Sequence, residues 1–453
     1  MPTPSAPPPS QLVRLRGNAR ALALEIAAEA RSEWAYTSEV IGRAFRTHRE
    51  LGSTERRLLA ETIYGLVRWD RRLNAIVDDV IKAARGRAEH LSPAGRDQLL
   101  LLMYEARSGV DPALVAGEAA RLLGGEVAIE RMIAEDAGLG HSKGIDRDAL
   151  CVSFPTWLLE RFVVDVGHDE AMAMAAAMNQ RAPLAIRVNT AKIDRDALME
   201  RLRAEGVIAR PAPLSPSGLL LETRINAFGL QTFQDGLFEV MDEGSQLVAE
   251  AVAPPPKGRV LDACAGAGGK TLALAAQLGG QGRVLALDVK GKKLEELRRR
   301  ARRAGLSSVS AREIEPGKPL PIEAKPESWD RVLVDAPCSG IGTLRRNPEA
   351  RWRLTEKVVD SFPARQLALL VDYAPLVAVG GRLIYATCTT LASENERVVE
   401  RFLAERPDFL PFPLKDIFGK PRAEALGDGM NLRLWPHRHD TDGFFTAVLR
   451  RVK

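Results

Sequence analysis

The sequence predicts a multidomain protein whose carboxyl-terminal part is a doubly wound α/β sheet, preceded by an all-helical segment and a small α+β connector. In the first third of the chain, apolar residues recur at three- and four-residue spacing, which is typical of helices packed around a core. From residue 257 onward, short apolar strands alternate with helices, which is the pattern of a mostly parallel sheet. The stretch between these two parts mixes both patterns.

The composition is that of an ordinary globular protein with a small excess of positive charge. The chain has 453 residues, of which 45% are hydrophobic and 27% charged, so disorder over the whole chain is excluded. With 64 Lys and Arg against 59 Asp and Glu, the net charge is +5, a weak indication of a nucleic-acid partner. At about 100–200 residues per domain, this length predicts two to four domains.

Cysteine usage, hydropathy and the first residues of the chain indicate a cytoplasmic protein. The 4 cysteines are scattered and form no CxxC pair, so we expect neither a disulfide framework nor a metal site. No apolar run approaches the roughly 20 residues needed to span a bilayer, so we expect no membrane partner. Residues 1–10 hold five prolines and no charge, which predicts a disordered tail rather than a signal peptide. We expect a monomer.

Residues 11–145 are predicted to form the all-helical domain. Ser92-Pro93 and Asp111-Pro112 each place a capping residue before a proline at the first helical position. Arginines are frequent along this segment. They belong either to solvated helix faces or to a basic surface that faces RNA, and the sequence leaves both interpretations open.

Residues 146–255 are predicted to form the α+β connector. Within it, residues 184–189 suit a strand, 194–205 a helix and 219–222 a second strand. The triplet Pro254-Pro255-Pro256 then separates the connector from the next domain.

Residues 256–453 are predicted to form the doubly wound domain. We expect strands at residues 259–261, 283–288, 331–335, 381–387 and 443–449, and helices from 271, from 291 and over 361–378. Ligands of such sheets bind beyond the carboxyl ends of the strands. Because Asp262, Asp288, Asp335 and Cys388 lie at or just past such ends, we expect the functional site there.

The turn after the first of these strands, residues 262–271, is rich in glycine. It is not a P-loop, because Cys264 stands where the first glycine is required. It is not a dinucleotide fingerprint either, because Thr271 stands where the last glycine would be. Asp288 lies 22 residues past Gly266, at the end of the next strand, which suits a carboxylate that binds ribose hydroxyls. The pattern predicts a pocket for a nucleoside group.

Two cysteines, Cys338 and Cys388, each follow a predicted strand of this sheet. A lone cysteine is usually inert core filling, but two at neighbouring strand ends are candidates for chemistry. Cysteine is a strong nucleophile at neutral pH when positive charge favours its thiolate. Lys270, Arg345 and Arg346 are the candidate sources of that charge.

Together these motifs resemble the RNA cytosine-C5 methyltransferases of the NOL/NOP2/Sun family. The family's Asp-x-Cys-Ala-Ala-Pro-Gly-Gly-Lys-Thr motif is matched over 262–271, with Gly266 and Ala267 in place of Ala-Pro. Its Asp-Ala-Pro-Cys-Ser-Gly motif is met in full at 335–340 and its Thr-Cys-(Ser/Thr) motif at 387–389. Residues 394–396 and 442–445 match as well. The helical segment is similar to a NusB-like RNA-binding domain, as in the Sun (RsmB) type, which acts on small-subunit rRNA.

The resemblance implies a Rossmann-like methyltransferase domain with S-adenosylmethionine as cofactor and 16S rRNA, not DNA, as partner. Cys388 would add to C6 of a cytosine so that C5 can accept the methyl group, and Cys338 would assist release of the product. Asp335 would hydrogen-bond the N3/N4 edge of the base, and Lys270 would orient Asp335. The residues expected to hold the cofactor are Cys264, Ala265, Gly266, Ala267, Gly268, Gly269, Lys270, Asp288 and Asp335.

Two further assignments concern the adenine and the RNA. Where the family usually has Gly-Asp after the third strand, this chain offers only Glu313 or Glu315 as replacements for the aspartate that meets the adenine. Four arginines that follow the Cys338 motif are predicted to contact RNA phosphates: Arg345, Arg346, Arg351 and Arg353. The basic run over 290–303 is interpreted as a solvated helix face.

Other functions stay open at this point. The same chemistry could act on tRNA or on another rRNA site. A non-catalytic NusB-type assembly factor would instead bind RNA without transferring a methyl group, although Cys338, Cys388, Asp335 and Lys270 are all present. The hypothesis of a P-loop NTPase fails on the missing first glycine, and only ATP binding would revive it. A DNA cytosine methyltransferase would use Cys338 as its nucleophile and would not need Cys388.

Overall fold

The computed structural model describes residues 14–32, 34–84, 91–222 and 225–453. The predicted disordered tail, 1–10, lies outside the described residues. The chain divides into two compact units. The first, here called the helical unit, comprises residues 1–181 and 344–356, and the second, the sheet unit, comprises residues 182–343 and 357–453. These units cut the chain differently from the three-domain division expected from the sequence, which stays a prediction.

The helical unit begins with ten helices, and the described part of 1–181 contains no strand. Ser92 and Asp111 cap two of these helices as predicted, because their side chains accept hydrogen bonds from the backbone amides of Gly95 at 3.1 Å and Ala113 at 2.9 Å. The helices are α1 (Gly17–Ser32), α2 (Thr37–Thr47), α3 (Ser53–Arg68), α4 (Asp70–Ala83), α5 (Pro93–Arg107), α6 (Pro112–Leu123), α7 (Glu130–Ile133), α8 (Gly144–Cys151), α9 (Thr156–Val166) and α10 (His168–Met178).

Helix α5 lies at the centre of the helical unit. Its residues Leu99, Leu100, Leu101, Leu102 and Met103 are all buried, so the helix is covered on every side. A helix that is apolar all round requires neighbours all round, and α4 and α6 supply part of that cover.

A small antiparallel sheet opens the sheet unit. Its strand order is β2-β3-β1-β4, with every neighbouring pair antiparallel. The predicted strands at 184–189 and 219–222 and the predicted helix at 194–205 are present, whereas two strands of three residues each were not predicted. The elements are β1 (Leu184–Val188), α11 (Arg195–Ala204), β2 (Ala209–Pro211), β3 (Gly218–Leu221), α12 (Gln231–Gln234), β4 (Phe238–Val240) and α13 (Glu243–Val252).

A second, larger sheet forms the rest of the sheet unit, and it is the doubly wound sheet that the sequence predicts. Residues 344–356, which belong to the helical unit, interrupt this part of the chain. The elements from residue 259 onward are β5 (Arg259–Asp262), α14 (Gly269–Gln277), β6 (Arg283–Asp288), α15 (Gly291–Ala304), β7 (Val309–Glu313), β8 (Trp329–Asp335), α16 (Ala350–Arg353), α17 (Glu356–Val359), α18 (Phe362–Tyr373), β9 (Val377–Thr387), α19 (Glu396–Glu405), β10 (Phe409–Pro411), α20 (Lys415–Phe418), α21 (Lys420–Ala425), β11 (Leu432–Leu434), α22 (Pro436–His439) and β12 (Phe444–Arg451).

The strand order of this sheet shows at which edge a ligand is expected to bind. The order is β10-β12-β9-β8-β5-β6-β7, and the five strands from β9 to β7 are parallel. The strand order changes direction at β5, which lies between β6 and β8, so a crevice opens at the carboxyl ends of these strands. Strands β5, β6 and β8 end at Asp262, Asp288 and Asp335, and Cys388 follows the end of β9.

The interior of the larger sheet is close to wholly apolar. Leu261, Leu285, Val332, Leu333 and Leu383 are each no more than 1% exposed. Strands buried on both faces need such continuous apolar runs, because helices cover both sides of a parallel sheet. Among the described residues, no helix is both long and apolar enough to cross a membrane.

Candidate active site

The loop that joins β5 to α14 is shaped by two glycines with left-handed backbone angles. Gly266 has φ +54° and Gly268 has φ +87°. A Cβ added to Gly268 would lie 2.6 Å from Cγ of Leu297, so only glycine allows α15 to pack this closely. A Cβ added to Gly266 or Gly269 would meet no atom within 4 Å. The loop therefore borders open space at the carboxyl edge of the sheet.

Asp288 fixes the far side of this loop. Its carboxylate accepts hydrogen bonds from the backbone amide of Gly266 at 2.7 Å and from that of Lys290 at 2.8 Å. A carboxylate has about four acceptor positions, so two stay available for further donors. Open space bordered by a glycine loop, with a partly buried carboxylate beside it, fits a cofactor that carries a nucleoside with ribose hydroxyls.

Lys270 and Asp335 form an ion pair between the glycine turn and the end of β8. Lys270 Nζ lies 2.7 Å from Asp335 Oδ2 and 5.4 Å from the centre of the Phe444 ring. Burial lowers the pKa of Lys270, but the charge and hydrogen bond of Asp335 outweigh burial and raise it overall. The lysine therefore carries its positive charge at any physiological pH.

Asp262 and Thr271 form a second side-chain contact between β5 and α14. The sequence placed Asp262 at a strand end without assigning it a role, and it assigned none to Thr271. The Thr271 hydroxyl donates a hydrogen bond of 2.6 Å to Asp262, whose side chain is buried. Burial raises the pKa of Asp262 to about 7, although the Thr271 hydrogen bond acts in the opposite direction. These two residues anchor the first turn of α14 to the end of β5.

The two predicted cysteines lie next to each other. Cys338 Sγ and Cys388 Sγ are 3.3 Å apart, and both residues are partly buried. They meet because each follows one of two adjacent parallel strands, β8 and β9. The hydrogen bond with Cys388, together with burial, raises the pKa of the Cys338 thiol well above its ordinary value. Either sulfur atom of this pair could be the hydrogen-bond donor.

The buried carboxylate of Glu394 holds the Cys338 loop through hydrogen bonds. Glu394 accepts hydrogen bonds from the Ser339 hydroxyl at 2.6 Å, from the Ser339 amide at 2.9 Å and from Gln366 Nε2 at 2.9 Å. Gln366 also donates to the carbonyl of Pro337 at 3.1 Å. Burial raises the pKa of Glu394, and the hydrogen bonds from Ser339 and Gln366 oppose that rise. Ser339 and Glu394 stand in motifs that the sequence analysis identified, whereas Gln366, on α18, carries no sequence signal for this role.

The Cys388 loop is tied directly to the Cys338 loop. The amide of Gly342 donates to the Cys388 carbonyl at 3.0 Å, and the amide of Gly443 donates to the Gly342 carbonyl at 2.8 Å. A Cβ on Gly342 would lie 2.1 Å from the Gly443 carbonyl oxygen, so no other residue fits there. On the other side, Asn395 Nδ2 donates to the Thr389 carbonyl at 3.1 Å. These contacts hold the backbone of the loops that carry the two cysteines.

Cys264 differs from the other two cysteines of this edge. Burial and the nearby charges of Asp262 and Asp335 strongly raise the pKa of its thiol. It therefore stays neutral, and it packs against the apolar core of the sheet. This environment suits a small packing residue in the loop and does not suit a nucleophile.

The arginines predicted to contact RNA are not equivalent. Arg351 is 0% exposed, with its guanidinium 4.0 Å from the centre of the Phe154 ring and 2.7 Å from Asn179 Oδ1. Arg345 is also buried, and it donates to the carbonyl of Arg181. Arg345 and Arg351 therefore serve the packing of the helical unit, and RNA contact by the four arginines stays a prediction. Arg346 is partly buried and Arg353 is exposed.

The two candidates for the adenine contact are also separated by the structure. Glu313 ends β7, beside Asp288 on β6, and its carboxylate accepts from the amide of Gly291 at 3.2 Å. Glu315 is exposed and pairs with Lys318 at 2.6 Å. Of the two, only Glu313 lies at the strand edge that carries Asp288.

Family models match two parts of the chain. The model described as 16S rRNA methyltransferase RsmB/F matches residues 249–450. The model described as the ferredoxin-like domain of RsmF/B-like methyltransferases matches residues 154–227, which lie within the connector expected from the sequence.

Similar proteins extend over nearly the whole chain. A Synechocystis protein named as a probable ribosomal RNA small subunit methyltransferase B is 33% identical, over 96% of this chain and 100% of its own length. A Bacillus subtilis protein of the same name is 31% identical, over 95% and 98%. The crystal structure of PH0851 superposes with a TM-score of 0.75 at 27% identity, covering 97% of this chain and 100% of that one.

A methyltransferase homologue from Pyrococcus horikoshii is the second solved structure compared. It superposes with a TM-score of 0.57 at 28% identity, over 68% of this chain and 99% of that one. The cofactor expected from the sequence is confirmed as S-adenosylmethionine. With relatives above 30% identity that match along nearly their entire length, the chain belongs to the RsmB/F family of 16S rRNA methyltransferases.

Proposed function

We propose that this protein transfers a methyl group from S-adenosylmethionine to C5 of a cytosine in 16S rRNA, through a covalent bond between Cys388 and C6 of the base. The observation that carries the proposal is the pair of thiols 3.3 Å apart at the carboxyl edge of the sheet. A methyl transfer to a nitrogen or oxygen atom would need no such pair. Methylation of C5 needs a nucleophile that adds to C6 and activates the ring, and a second group that helps to release the methylated base.

Cys388 is the better placed of the two sulfur atoms to be the nucleophile. Cys338 Sγ lies 3.3 Å from it, and we take Cys338 as the donor of this contact. The Lys270 ammonium is close enough for the charges of Lys270 and Cys388 to interact. A neighbouring cation and a hydrogen-bond donor both favour a thiolate. The Cys388 thiolate adds to C6, and the electron pair displaced from the double bond makes C5 nucleophilic. Asp335, held by Lys270, hydrogen-bonds the N3/N4 edge as charge develops on the ring.

Cys338 then serves as the base. Once Cys388 is bonded to C6, it no longer holds the charge and the hydrogen bond that keep Cys338 protonated, so the Cys338 pKa falls and its proton passes to solvent. The resulting Cys338 thiolate removes the proton from C5 after methylation. The C6–S bond breaks and its electron pair returns to Cys388. The enzyme is restored with Cys338 as thiol and Cys388 as thiolate, and one proton has been released overall.

The cofactor supplies the methyl group, and the residues of the glycine turn would hold it. We assign the methionine and ribose parts to the loop from Cys264 to Gly269, and the ribose hydroxyls to Asp288. Glu313 is our candidate on the adenine side, because it ends the strand next to that of Asp288. Lys270 joins the two halves of the site, since it begins α14 and contacts Asp335.

The target cytosine must leave its stack to reach this edge, because both faces of a paired base are covered in a helix. We further propose that the helical unit contains a NusB-like RNA-binding domain. Its exposed arginines, Arg353 among them, are the candidates for phosphate contacts.

The test is transfer of a labelled methyl group to protein-free 16S rRNA, followed by nucleoside analysis. We expect label in 5-methylcytidine with the wild-type protein and none with Cys388→Ala. With Cys338→Ala we expect a covalent protein–RNA complex that survives denaturation, because the adduct forms and cannot be released. Transfer of the label to tRNA alone would overturn the substrate, and transfer with Cys388→Ala would overturn the nucleophile. No transfer to rRNA, tRNA or small ribosomal subunits would favour a non-catalytic RNA-binding protein.

A further inference from the structure

One carbonyl of the cofactor loop is held by a side chain from another element. Ala267 lies between Gly266 and Gly268, the two residues with positive φ, so this part of the backbone has unusual conformational freedom. Its carbonyl oxygen accepts a hydrogen bond of 2.7 Å from Nη1 of Arg300, on α15. The neighbouring loop atoms are fixed by other contacts, from Gly266 to Asp288 and from Gly268 to Ala265.

Arg300 is itself fixed by a buried carboxylate of the small sheet. Glu239, on β4, accepts from Nε of Arg300 at 3.2 Å and from Nη2 at 3.0 Å. The carboxylate is 4% exposed and the Arg300 side chain 17%. The second Glu239 oxygen accepts from Arg303, whose guanidinium lies 3.7 Å from the centre of the Phe233 ring. Both oxygens of Glu239 are therefore used, and Nη1, the guanidinium nitrogen that does not contact Glu239, is the one that donates to the loop.

The small sheet and α15 are also joined through the backbone at this place. Asn189 Nδ2 donates to the carbonyl of Gly236 at 2.8 Å and to that of Ala304 at 2.9 Å. A Cβ on Gly236 would lie 2.1 Å from the Arg303 carbonyl oxygen, so the turn that precedes β4 packs closely against the backbone of α15. This contact leaves the Glu239–Arg300 pair little freedom to move.

We propose that Arg300 is a positioning residue for the cofactor loop, held in place by Glu239 of the small sheet. The chain of contacts runs from β4 through Glu239 and Arg300 to the Ala267 carbonyl. Alanine at 267 leaves the backbone of the loop freer than a proline would, so ordering the loop costs more conformational entropy. The hydrogen bond from Arg300 helps to offset that cost. The inference rests on the proposed function only in that the loop binds S-adenosylmethionine. The small sheet thereby contributes to cofactor affinity without touching the cofactor.

The test compares Arg300→Met with Arg299→Met in the full-length protein. Methionine keeps most of the aliphatic stem and removes the guanidinium. Arg299 is a matched control, because it lies on the same helix, is exposed and pairs with Glu296 on its own helix. Arg300→Lys is the second variant, since its ammonium keeps a positive charge beside Glu239 and has no fork to reach both Glu239 and the loop.

Two quantities are measured for each variant. The first is hydrogen exchange of the amides of 264–270 without cofactor, which reports the loop directly. The second is the affinity for S-adenosylhomocysteine by titration calorimetry. For Arg300→Met and Arg300→Lys we expect about tenfold faster loop exchange and about tenfold weaker binding, the loss of one charge-assisted hydrogen bond. For Arg299→Met we expect wild-type values for both.

The outcomes separate this inference from the proposed function. Loop exchange and affinity within twofold of Arg299→Met in both Arg300 variants would overturn the role of Arg300. Faster loop exchange in those variants, with no binding of S-adenosylhomocysteine even by the wild type, would support the role of Arg300 and overturn the cofactor assignment of the loop. If Arg300→Met fails to fold, Arg300→Lys alone decides the question, because it retains the ion pair with Glu239.

Discussion

Asp262 is a carboxyl group placed where its charge is strongly disfavoured. It ends β5, is buried, and receives the Thr271 hydroxyl, and its pKa is raised to about 7 from an ordinary value of 3.8. Between about pH 4 and pH 7 the folded protein therefore holds a proton that the unfolded chain has lost. The free energy of unfolding therefore rises as the pH falls from about 7 to about 4. Above pH 7 the folded protein carries the full cost of burying an ionised carboxylate.

We expect Asp262→Asn to remove this pH dependence. The amide oxygen can still accept from Thr271, and the amide carries no charge at any pH. The variant should therefore gain stability relative to wild type as the pH rises. The free energy of unfolding of the variant minus that of wild type should be larger at pH 8 than at pH 5, by about 2.5 kcal/mol. Urea denaturation of both proteins at the two pH values measures this difference. A difference between variant and wild type that does not change with pH would contradict the raised pKa.

Sequence motifs identified some residues of the site and missed others for a physical reason. Lys270, Asp335, Cys338 and Cys388 each stand in a short pattern at a strand end, and parallel strands bring such ends to one edge. Arg300 is held by Glu239, which is 61 residues away in the sequence, and nothing in a helix rich in arginine distinguishes it from its neighbours. Contacts of this kind depend on how elements pack, and so they become visible only in three dimensions.

At the scale of elements, the segment 344–356 contains arginines with different surroundings. We call it the return segment, because it leaves the sheet unit and packs in the helical unit. Arg351 is buried in its short helix α16, whereas Arg353, two positions later, is exposed with its guanidinium 4.2 Å from the centre of the Tyr36 ring. One side chain serves packing, and the other is available to a phosphate.

We expect Arg351→Ala and Arg353→Ala to have opposite profiles. Arg351→Ala leaves a cavity and removes hydrogen bonds to Asn179 and Ser153, so the free energy of unfolding should fall by about 2–4 kcal/mol. Arg353→Ala should change it by less than about 0.5 kcal/mol and should weaken binding to rRNA at low salt. Denaturant titration and an RNA-binding assay on the folded proteins measure both effects. Unchanged stability of Arg351→Ala would contradict its packing role.

The larger elements were more predictable than the small ones. Strands β6, β8 and β9 are long, apolar runs, and the pattern of apolar residues located each of them. Strand β7 reads Val-Ser-Ala-Arg-Glu and was not predicted, because an edge strand with polar residues has no distinguishing pattern. The three-residue strands β2, β4, β10 and β11 exist through pairing with longer neighbours, which local sequence does not reveal.

At the scale of the whole molecule, the chain passes between the two units three times, after residues 181, 343 and 356. The return segment contributes several contacts to the helical unit. Thr37 donates to Glu349 at 2.9 Å, Trp352 Nε1 donates to the carbonyl of Val67 at 2.7 Å, and Arg68 donates to the carbonyl of Arg345 at 3.0 Å. The helical unit is therefore incomplete without residues that follow the Cys338 motif in the sequence.

We expect a fragment of residues 1–181 to be stabilised by a synthetic peptide of residues 344–356. The peptide supplies the partners of Thr37, Val67 and Arg68, so binding to the folded fragment should raise its stability by about 1–2 kcal/mol at tenfold excess over the dissociation constant. A peptide carrying Arg351→Ala and Trp352→Ala is the control and should have no effect. Thermal unfolding with each peptide measures the shift. Equal shifts with both peptides would mean that the contacts of the return segment are not specific.

The return segment also sets the order in which the protein can be completed during synthesis. Translation delivers the amino-terminal helices first, yet Glu349, Arg351 and Trp352 leave the ribosome only after most of the sheet unit. Until then, the binding places of these side chains on the nascent helices are exposed to water and to other proteins. The unit whose residues are synthesised first is thus among the last to be completed.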